Sequence, residues 1–389
     1  MDACDVLIVG GGPAGSSCAW KLRNAGSHVS LDVALDVAIL DKQVFPRDKV
    51  CGGWITPAVL DELKIHPAEY ARGIPGHGPA PLLQPITGFR TGCISGPAIE
   101  TRYGAPVSYG IRRREFDHYL LRRSGARLIQ GVALTSLERS GTGWIANGNI
   151  QAQIVVGAGG HFCPVARLTG AKSKTELAVV AQEAEFEMDA AQQAACSVAC
   201  DTPELYFCAD LKGYGWCFRK HNFLNVGLGR MDQHRLSSHV ADFLNFLKSA
   251  GRLSFDIPRA LHGHAYLLYG ASARKVVSDG LLLAGDSAGL AYSQSGEGIR
   301  PAIESGLLAA NTILAARGNY SHDNLERYRE SLAARFGGTG TDWATKLGSH
   351  LPSRLISSLG RRLLHSNWFA REVVLNRWFL HSGDPALEA

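Results

Sequence analysis

Val6 to Val9 form an apolar run that stops at Gly10-Gly11-Gly12, and a helical apolar pattern then runs from Ala14 to Ala25 before Gly26. This reads as strand, tight turn, helix and C-cap. The turn constrains the fold strongly, because Gly10, Gly12 and Gly15 stand at G-x-G-x-x-G spacing. Gly10 permits the sharp turn, Gly12 lets backbone come against a pyrophosphate, and Gly15 allows close packing of helix on strand. The helix start offers unpaired N–H groups and the positive end of its dipole to phosphate. Pro13 and Ala14, inside the loop, complete the candidate cradle. A plain tight turn without ligand is the competing reading, and the strand and helix flanks argue against it.

An acidic residue for the ribose hydroxyls is expected about 20 residues beyond such a loop. Asp36 has the better spacing, but Asp41 ends the second apolar strand, Ile39-Leu40, and precedes Lys42. Asp41 is the choice. A tandem LDVA, Leu31 to Ala34 and Leu35 to Ala38, reads as a local duplication that lengthens the connection. Asp32 and Asp36 are then solvated loop or strand-start residues.

A chain of 389 residues, 46% hydrophobic, can bury one large core or two moderate ones. A net charge of +5 with no Lys/Arg block does not point to nucleic acid. The N-terminus lacks a basic signal-peptide region, and no apolar run approaches the roughly 20 residues of a membrane span. The expectation is a cytoplasmic chain. Nine cysteines without a C-x-x-C pair read as reduced thiols, with neither a disulfide framework nor a metal site.

Val179 to Glu187 and then LYFCADL, YGWCFRK and FLNVGLG between Leu205 and Gly229 turn to short strands separated by turn residues. They suggest an antiparallel sheet in a second lobe. From His239 to Ala250, Val240, Phe243, Leu244 and Leu247 share one face of a covering helix. Gly280-Leu-Leu-Leu-Ala-Gly-Asp then returns as a buried strand to the first lobe, which is therefore discontinuous. Between Leu351 and His381, Leu, Trp and Phe mix with Arg354, Arg361, Arg362, Arg371 and Arg377. One reading is a helical cap with arginines snorkelling at its rim; the other is a basic amphipathic surface that touches lipid headgroups.

Pro46 to Trp54, PRDKVCGGW, is the next signal. Its adjacent glycines, Gly52 and Gly53, permit close backbone approach to a ligand, and Arg47 and Lys49 supply charge for an anionic one. Here the sequence resembles the geranylgeranyl reductase family of flavoproteins, whose fold is similar to that of p-hydroxybenzoate hydroxylase. The resemblance implies FAD, with the R-x-K-x-C-G-G segment over the cofactor. It extends to GIRRREFDHYLL, where Arg113 stands at the family's flavin-contacting arginine, and to VVGAGGHFCPVAR, similar to a second FAD segment containing Gly157, Ala158 and Gly159. Gly160 stands there in place of a common acidic residue. LLLAGDSAGLAYSQSGEGIRPAIESG resembles the third segment, with Gly285 and with Asp286 toward the ribityl or ribose hydroxyls. The turn from Gly296 through Gly298 to Ile299 would face the flavin pyrimidine edge, where N–H donors stabilise the reduced form. Val132 joins the implied cofactor contacts. Ser293, where many relatives have proline, suggests a looser turn.

Gly213 to Gly229 resembles the family's aromatic Y-x-W-x-F strand, which roofs a prenyl pocket, with Arg219 in place of the usual proline. Alternation puts Tyr214, Trp216 and Phe218 on one face; that face is either pocket wall or plain sheet core. Cys51, Tyr214 and Trp216 are the catalytic candidates, Cys51 as proton donor or packing residue near flavin N5. The expected fold is α/β, α+β overall: a Rossmann-like FAD-binding domain (1–70, 100–178 and 275–335), an inserted antiparallel-sheet substrate domain (71–99 and 179–274), and a C-terminal helical region (336–389).

The implied function is FAD-dependent reduction of carbon–carbon double bonds in a prenyl or other apolar substrate, fed by a transient electron donor such as NAD(P)H or ferredoxin. Two rivals stand beside it. One is an FAD-dependent monooxygenase of aromatic or polyketide-like substrates; the other is a prenyl-binding escort-type protein without flavin. A flavin-dependent halogenase is disfavoured, since no W-x-W-x-I-P segment occurs.

Overall fold

The computed structural model describes residues 2–25, 35–76, 78–172, 176, 178–232, 235–270, 274–337 and 353–388. Gly26, Asp32 and the first LDVA copy lie outside these, as does the Arg354 side chain.

Asp2–Val9 lies centrally in an eight-stranded sheet, parallel to Val37–Asp41 on one side and to Ile150–Gly157 on the other. Arg127–Gln130 and Leu281–Leu283 extend the parallel set outward. Strands covered on both faces need apolar residues at every position. That is why Val6 to Val9, Val37 to Leu40 and Leu281 to Leu283 read as unbroken runs, all of them buried. Because these strands are parallel, Val9, Asp41, Gly157 and Leu283 end at one edge, where ligands bind in sheets of this kind.

Two helices meet behind that edge. Pro13–Ala25 and Ile299–Ala316 pack almost backbone to backbone. A Cβ on Gly306 would lie 2.2 Å from the Ala14 carbonyl oxygen, and the Ser17 hydroxyl donates to the Ile303 carbonyl at 3.1 Å.

The second lobe is a seven-stranded sheet in the order 262–266, 179–187, 223–230, 213–220, 204–207, 88–93 and 98–102. It is antiparallel except where Glu204–Phe207 runs parallel to Gly88–Cys93. The segment expected at 71–99 does not sit wholly in this sheet. Leu83–Ile86 instead pairs with Ser108–Ile111 in a separate three-stranded sheet with Trp54–Ile55, and the large sheet continues to Arg102. Side-chain alternation could not distinguish which sheet a short strand would join.

Leu236–Ser249 covers one face of the large sheet with Val240, Phe243 and Leu247, all buried. Gly215 makes room for this helix, since a Cβ there would lie 2.6 Å from the Phe243 ring. Alternation then sends Tyr214, Trp216 and Phe218 to the opposite face, toward the nucleotide lobe.

At the C-terminus, Ser353–Leu364 is an α-helix and Phe369–Phe379 winds as a π-helix. Leu364, Val374, Leu375 and Phe379 join one core with Trp54, Phe89, Trp216 and Phe218, and Phe379 stacks on Trp54 at 5.6 Å. The region is thus a cap on the body. Its outer side exposes Leu359, Leu363 and Trp368 beside Arg361, Arg362 and Arg371. Among the described residues no helix is long and apolar enough to cross a membrane, and no group of His, Cys, Asp and Glu is arranged to hold a metal ion.

Candidate active site

At the strand edge the glycine loop is held by backbone from two sides. Gly10 has φ +115°, and a Cβ there would stand 2.4 Å from the Ala158 carbonyl oxygen; one on Gly15 would stand 1.9 Å from that of Gly10. At Gly12 the nearest atom to a Cβ is the Arg47 guanidinium, at 3.7 Å. Two of the loop's glycines are therefore demanded by chain packing, and the third faces room for a ligand. The first-turn amides at Ala14 and Gly15 have no acceptor within their helix, so the loop fits a pyrophosphate.

The downstream segments converge here. Ala158 donates its N–H to the Val9 carbonyl at 2.8 Å, and Gly285 approaches Ala14 and Ala302 so closely that a Cβ would be 3.2 Å from each. Arg274 ties the second segment to the third. Its guanidinium donates to the carbonyls of Ser287 at 2.9 Å and His161 at 3.2 Å while pairing with Glu176. The Ser287 hydroxyl adds a bond to the Gly160 carbonyl at 3.2 Å. Asp286 faces the 296–299 turn, its Oδ1 3.1 Å from where a Gly298 Cβ would be. Burial raises its carboxyl, against the pull of Lys49 and Arg113.

The two ribose candidates separate clearly in space. Asp41 ends its strand beside the loop, its Oδ2 accepting the Gly11 N–H at 2.7 Å and its Oδ1 the Gln43 N–H at 2.8 Å. Asp36 sits at the strand's other end, 3.5 Å from Arg127. Val132, partly exposed, donates its N–H to the Asp41 carbonyl, and Lys42 is exposed next to it. Ser293 lies within a turn that is hydrogen-bonded across its ends. The turn is closed by the Tyr292 N–H to the Glu297 carbonyl at 3.0 Å and the Gly296 N–H to the Tyr292 carbonyl at 2.8 Å, which supply the rigidity a proline would bring.

Arg113 opens the helix Arg113–Arg123 and grips Asp117, four residues on, through two bonds of 2.7 and 2.8 Å. Arg47 adds a third contact to the same carboxylate at 2.9 Å. Burial pushes Asp117's carboxyl up, but the two guanidiniums outweigh it and hold it below the usual carboxylate range. This cluster fastens the 47–53 loop beside the glycine loop. From the other side the loop is held by the large sheet: Glu183 accepts the Cys51 N–H, and Asn225 donates to the Cys51 carbonyl at 3.1 Å. A Cβ on Gly53 would collide with Ile111 and with the Lys220 ammonium, at 2.3 and 2.4 Å. Gly53 is thus required by the protein's own packing, and Gly52 lies against Phe218.

Between the 47–53 loop and the large sheet lies a cavity with about 780 Å³ of empty space, counted to its open mouth. Its walls are largely aromatic, including Trp54, Tyr214, Trp216, Phe218, Tyr266 and Phe379, and Cys51 and the 296–299 turn also line it. Tyr214 and Trp216 contribute faces, not acids. The Tyr214 hydroxyl donates to the Ser295 carbonyl, and the Trp216 indole N–H to Asn225 Oδ1 at 2.7 Å. Cys51 Sγ is 3.5 Å from the Gly53 N–H.

Residues 8–74 match the profile of the NAD(P)-binding Rossmann-like domain family. A digeranylgeranylglycerophospholipid reductase of Methanococcus vannielii is 26% identical over 347 residues, covering 84% of this chain and 81% of its own length. A menaquinone reductase of Mycobacterium tuberculosis is 27% identical over 363 residues, covering 86% and 81%. Among solved structures, a geranylgeranyl bacteriochlorophyll reductase-like protein of Thermoplasma acidophilum superposes with a TM-score of 0.72 at 21% identity, over 96% of this chain and 98% of the other. This chain is thus similar over most of its length to those two reductases, and it shares the fold of the third protein. The halogenase PltM, solved with FAD, shares the fold at 16% identity and TM-score 0.67, over 97% of this chain and 85% of the other.

The geranylgeranyl reductase resemblance thus holds along the chain, and four groups at its site escape a reading of motifs. Glu183 and Asn225, below the 47–53 loop, lie in strands whose alternation marks a buried face without naming its neighbours. His264, at the cavity, is lowered to about 4, by burial first and then by Lys49 and Arg113. Glu297 stands inside the third segment, between the two glycines that carry the resemblance. An acid flanked by glycines at a helix start is the one signal that could have singled it out.

Proposed function

We propose that this chain is an FAD-dependent reductase that saturates carbon–carbon double bonds of a prenyl chain. The observation that carries the reading is the aromatic cavity, whose lining joins the 51–56 segment to the 296–300 segment, where Gly298 lies against Asp286. Such walls suit an apolar, unsaturated substrate. Bound FAD, when reduced, supplies the hydride.

The residues divide the remaining work. The glycine loop, with Pro13 and Ala14, holds the pyrophosphate; Asp41 takes the ribose hydroxyls, with Lys42 and Val132 flanking the nucleotide. Arg47 and Arg113 steady the loop that covers the flavin, and Asp286 with the Gly296–Ile299 turn receives the isoalloxazine end. Gly157 to Gly159 and Gly285 bring these parts to one edge. Tyr214, Trp216 and Phe218 orient the prenyl chain and exclude water. The electron donor binds transiently, since one G-x-G-x-x-G unit serves one resident dinucleotide. The exposed Leu359, Leu363 and Trp368 with their neighbouring arginines rest on a lipid surface from which the substrate enters.

Anaerobic reduction of the reconstituted protein, followed by mass analysis with prenyl lipids, tests the reading. A gain of two hydrogens per double bond supports it. Oxygen-coupled hydroxylation without saturation would transfer the chain to the monooxygenases, and failure to take up FAD would make it an escort-type binder.

A further inference from the structure

Saturating an alkene takes a proton as well as a hydride, and the cavity's polar groups differ in whether they have one to give. Tyr214 and Trp216 donate theirs to Ser295 and Asn225. Arg300 is tied to Glu62 at 3.0 Å and Glu304 at 2.9 Å, and His381 faces Asp384 at 3.3 Å. Tyr266 and Tyr292 are phenols that burial makes still weaker acids. His264 is neutral at physiological pH, and a neutral imidazole N–H is a weaker acid again.

Cys51 accepts the Gly53 N–H on its Sγ at 3.5 Å, and a thiol is ordinarily a weaker acid than a carboxyl. Glu297 differs from all of these. It lines the cavity beside Gly296 and Gly298, and its carboxyl makes no hydrogen bond or ion pair with any described residue. Its backbone is committed, the N–H toward Ser295 Oγ and the carbonyl to the Tyr292 N–H, so the turn fixes where the side chain starts. Of the charged and titratable groups facing it, Arg300 has its charge engaged elsewhere and Tyr214 has its hydroxyl bonded to Ser295.

We propose that Glu297 is the proton donor for the double bond reduced in this cavity. The proposal rests on the prenyl-reductase reading. The Glu297 O–H bond breaks, and the alkene π pair takes the proton to form a C–H bond at the less substituted carbon. The other alkene carbon would take the hydride in the same step, supplied by FAD when it is bound and reduced, so that no free cation is left and the alkene gains one proton and one hydride to become an alkane. Meanwhile the aromatic walls shelter partial positive charge. The carboxylate that remains lies just ahead of the N-cap of the 18-residue helix Ile299–Ala316, where the positive end of the dipole stabilises it. Water entering by the cavity mouth restores the proton. Burial pushes its carboxyl well above the usual range, against a partial pull from Arg300, which favours the protonated acid.

Glu297→Gln keeps the shape and removes the acid. The variant is expected to bind FAD and prenyl lipid as the wild type does, with KM within a few-fold, and to lose roughly 10²-fold or more in kcat. Glu297→Asp should recover part of the loss. A flavin-free readout accompanies these: infrared spectra of the apoprotein at neutral pH should show a component of protonated-carboxyl absorption that is lost in Glu297→Gln, over the part that Glu183 contributes to both. Saturation by Glu297→Gln at the wild-type rate, or an unchanged carboxyl band, overturns the assignment alone. A flavin-loaded wild type that saturates no prenyl lipid overturns the reductase reading, and the assignment with it.

Discussion

Around Gly10 to Gly15 the site is made of backbone, whereas the cavity beyond Cys51 is made of side chains. The loop's contacts are carbonyl oxygens and amides within a few residues of one strand and one helix, joined by Ala158 and Gly285 from adjoining segments. The cavity takes Cys51 from a loop, Tyr214, Trp216 and Phe218 from one strand, Tyr266 from another, Glu297 from a turn and Phe379 from the C-terminal cap. A backbone cradle tolerates little change in its residues, because a single Cβ meets another main chain. A side-chain cavity can be altered one wall at a time, so it is where homologues of one fold can diverge in substrate.

The contrast is broken most directly at Gly15. Gly15→Val puts side-chain carbon where a Cβ is already 1.9 Å from the Gly10 carbonyl, and is expected to abolish FAD binding, read as loss of flavin absorbance after reconstitution. Full flavin occupancy would show that the cradle yields. Arg113→Met comes next, since it strands the buried Asp117 carboxylate with Arg47 alone. It should cost about 3–5 kcal/mol in urea unfolding. Asp117's carboxyl is held low in the folded chain, so its contribution is present above the unfolded carboxylate range and is lost as pH falls; the wild type should therefore lose its advantage over the variant in acid.

A smaller effect sharpens the nucleotide end. Asp41→Asn should weaken FAD binding by about 1.5–3 kcal/mol, roughly 10- to 100-fold in Kd by flavin titration, while Asp36→Asn leaves it unchanged. Equal weakening by both would reverse the choice. The last effect is a slope with pH and falls beneath the cavity. Burial, reinforced by Glu185 and opposed by Lys220, raises Glu183 from 4.5 to about 7. The folded chain then holds a proton that the unfolded chain has released, so stability declines as pH rises between those values and levels off above them. Glu183→Gln keeps an acceptor for the Cys51 N–H and should flatten that slope in urea unfolding measured from pH 4 to 8.

Much of the nucleotide end was legible because its rules are local. The choice of Asp41 over Asp36 followed from its place at a strand end, and the structure puts that end beside the loop. The face shared by Tyr214, Trp216 and Phe218 followed from alternation of two. Alternation could not say that the indole and phenol hydrogens would be engaged, or that Ser293 would lie in a turn closed by its neighbours' amides.

The strand-loop-helix start, the return of the chain to its first lobe and the aromatic face were decided along the chain, by spacing and periodicity that act over a few residues. What Gly53 must avoid, which carboxylate holds Cys51, and the burial that raises Glu297's carboxyl were decided only in three dimensions. Each depends on desolvation and contacts contributed by elements far apart in sequence. Lys220 lies far from Gly53 in the chain, yet its ammonium occupies the space a Gly53 side chain would need.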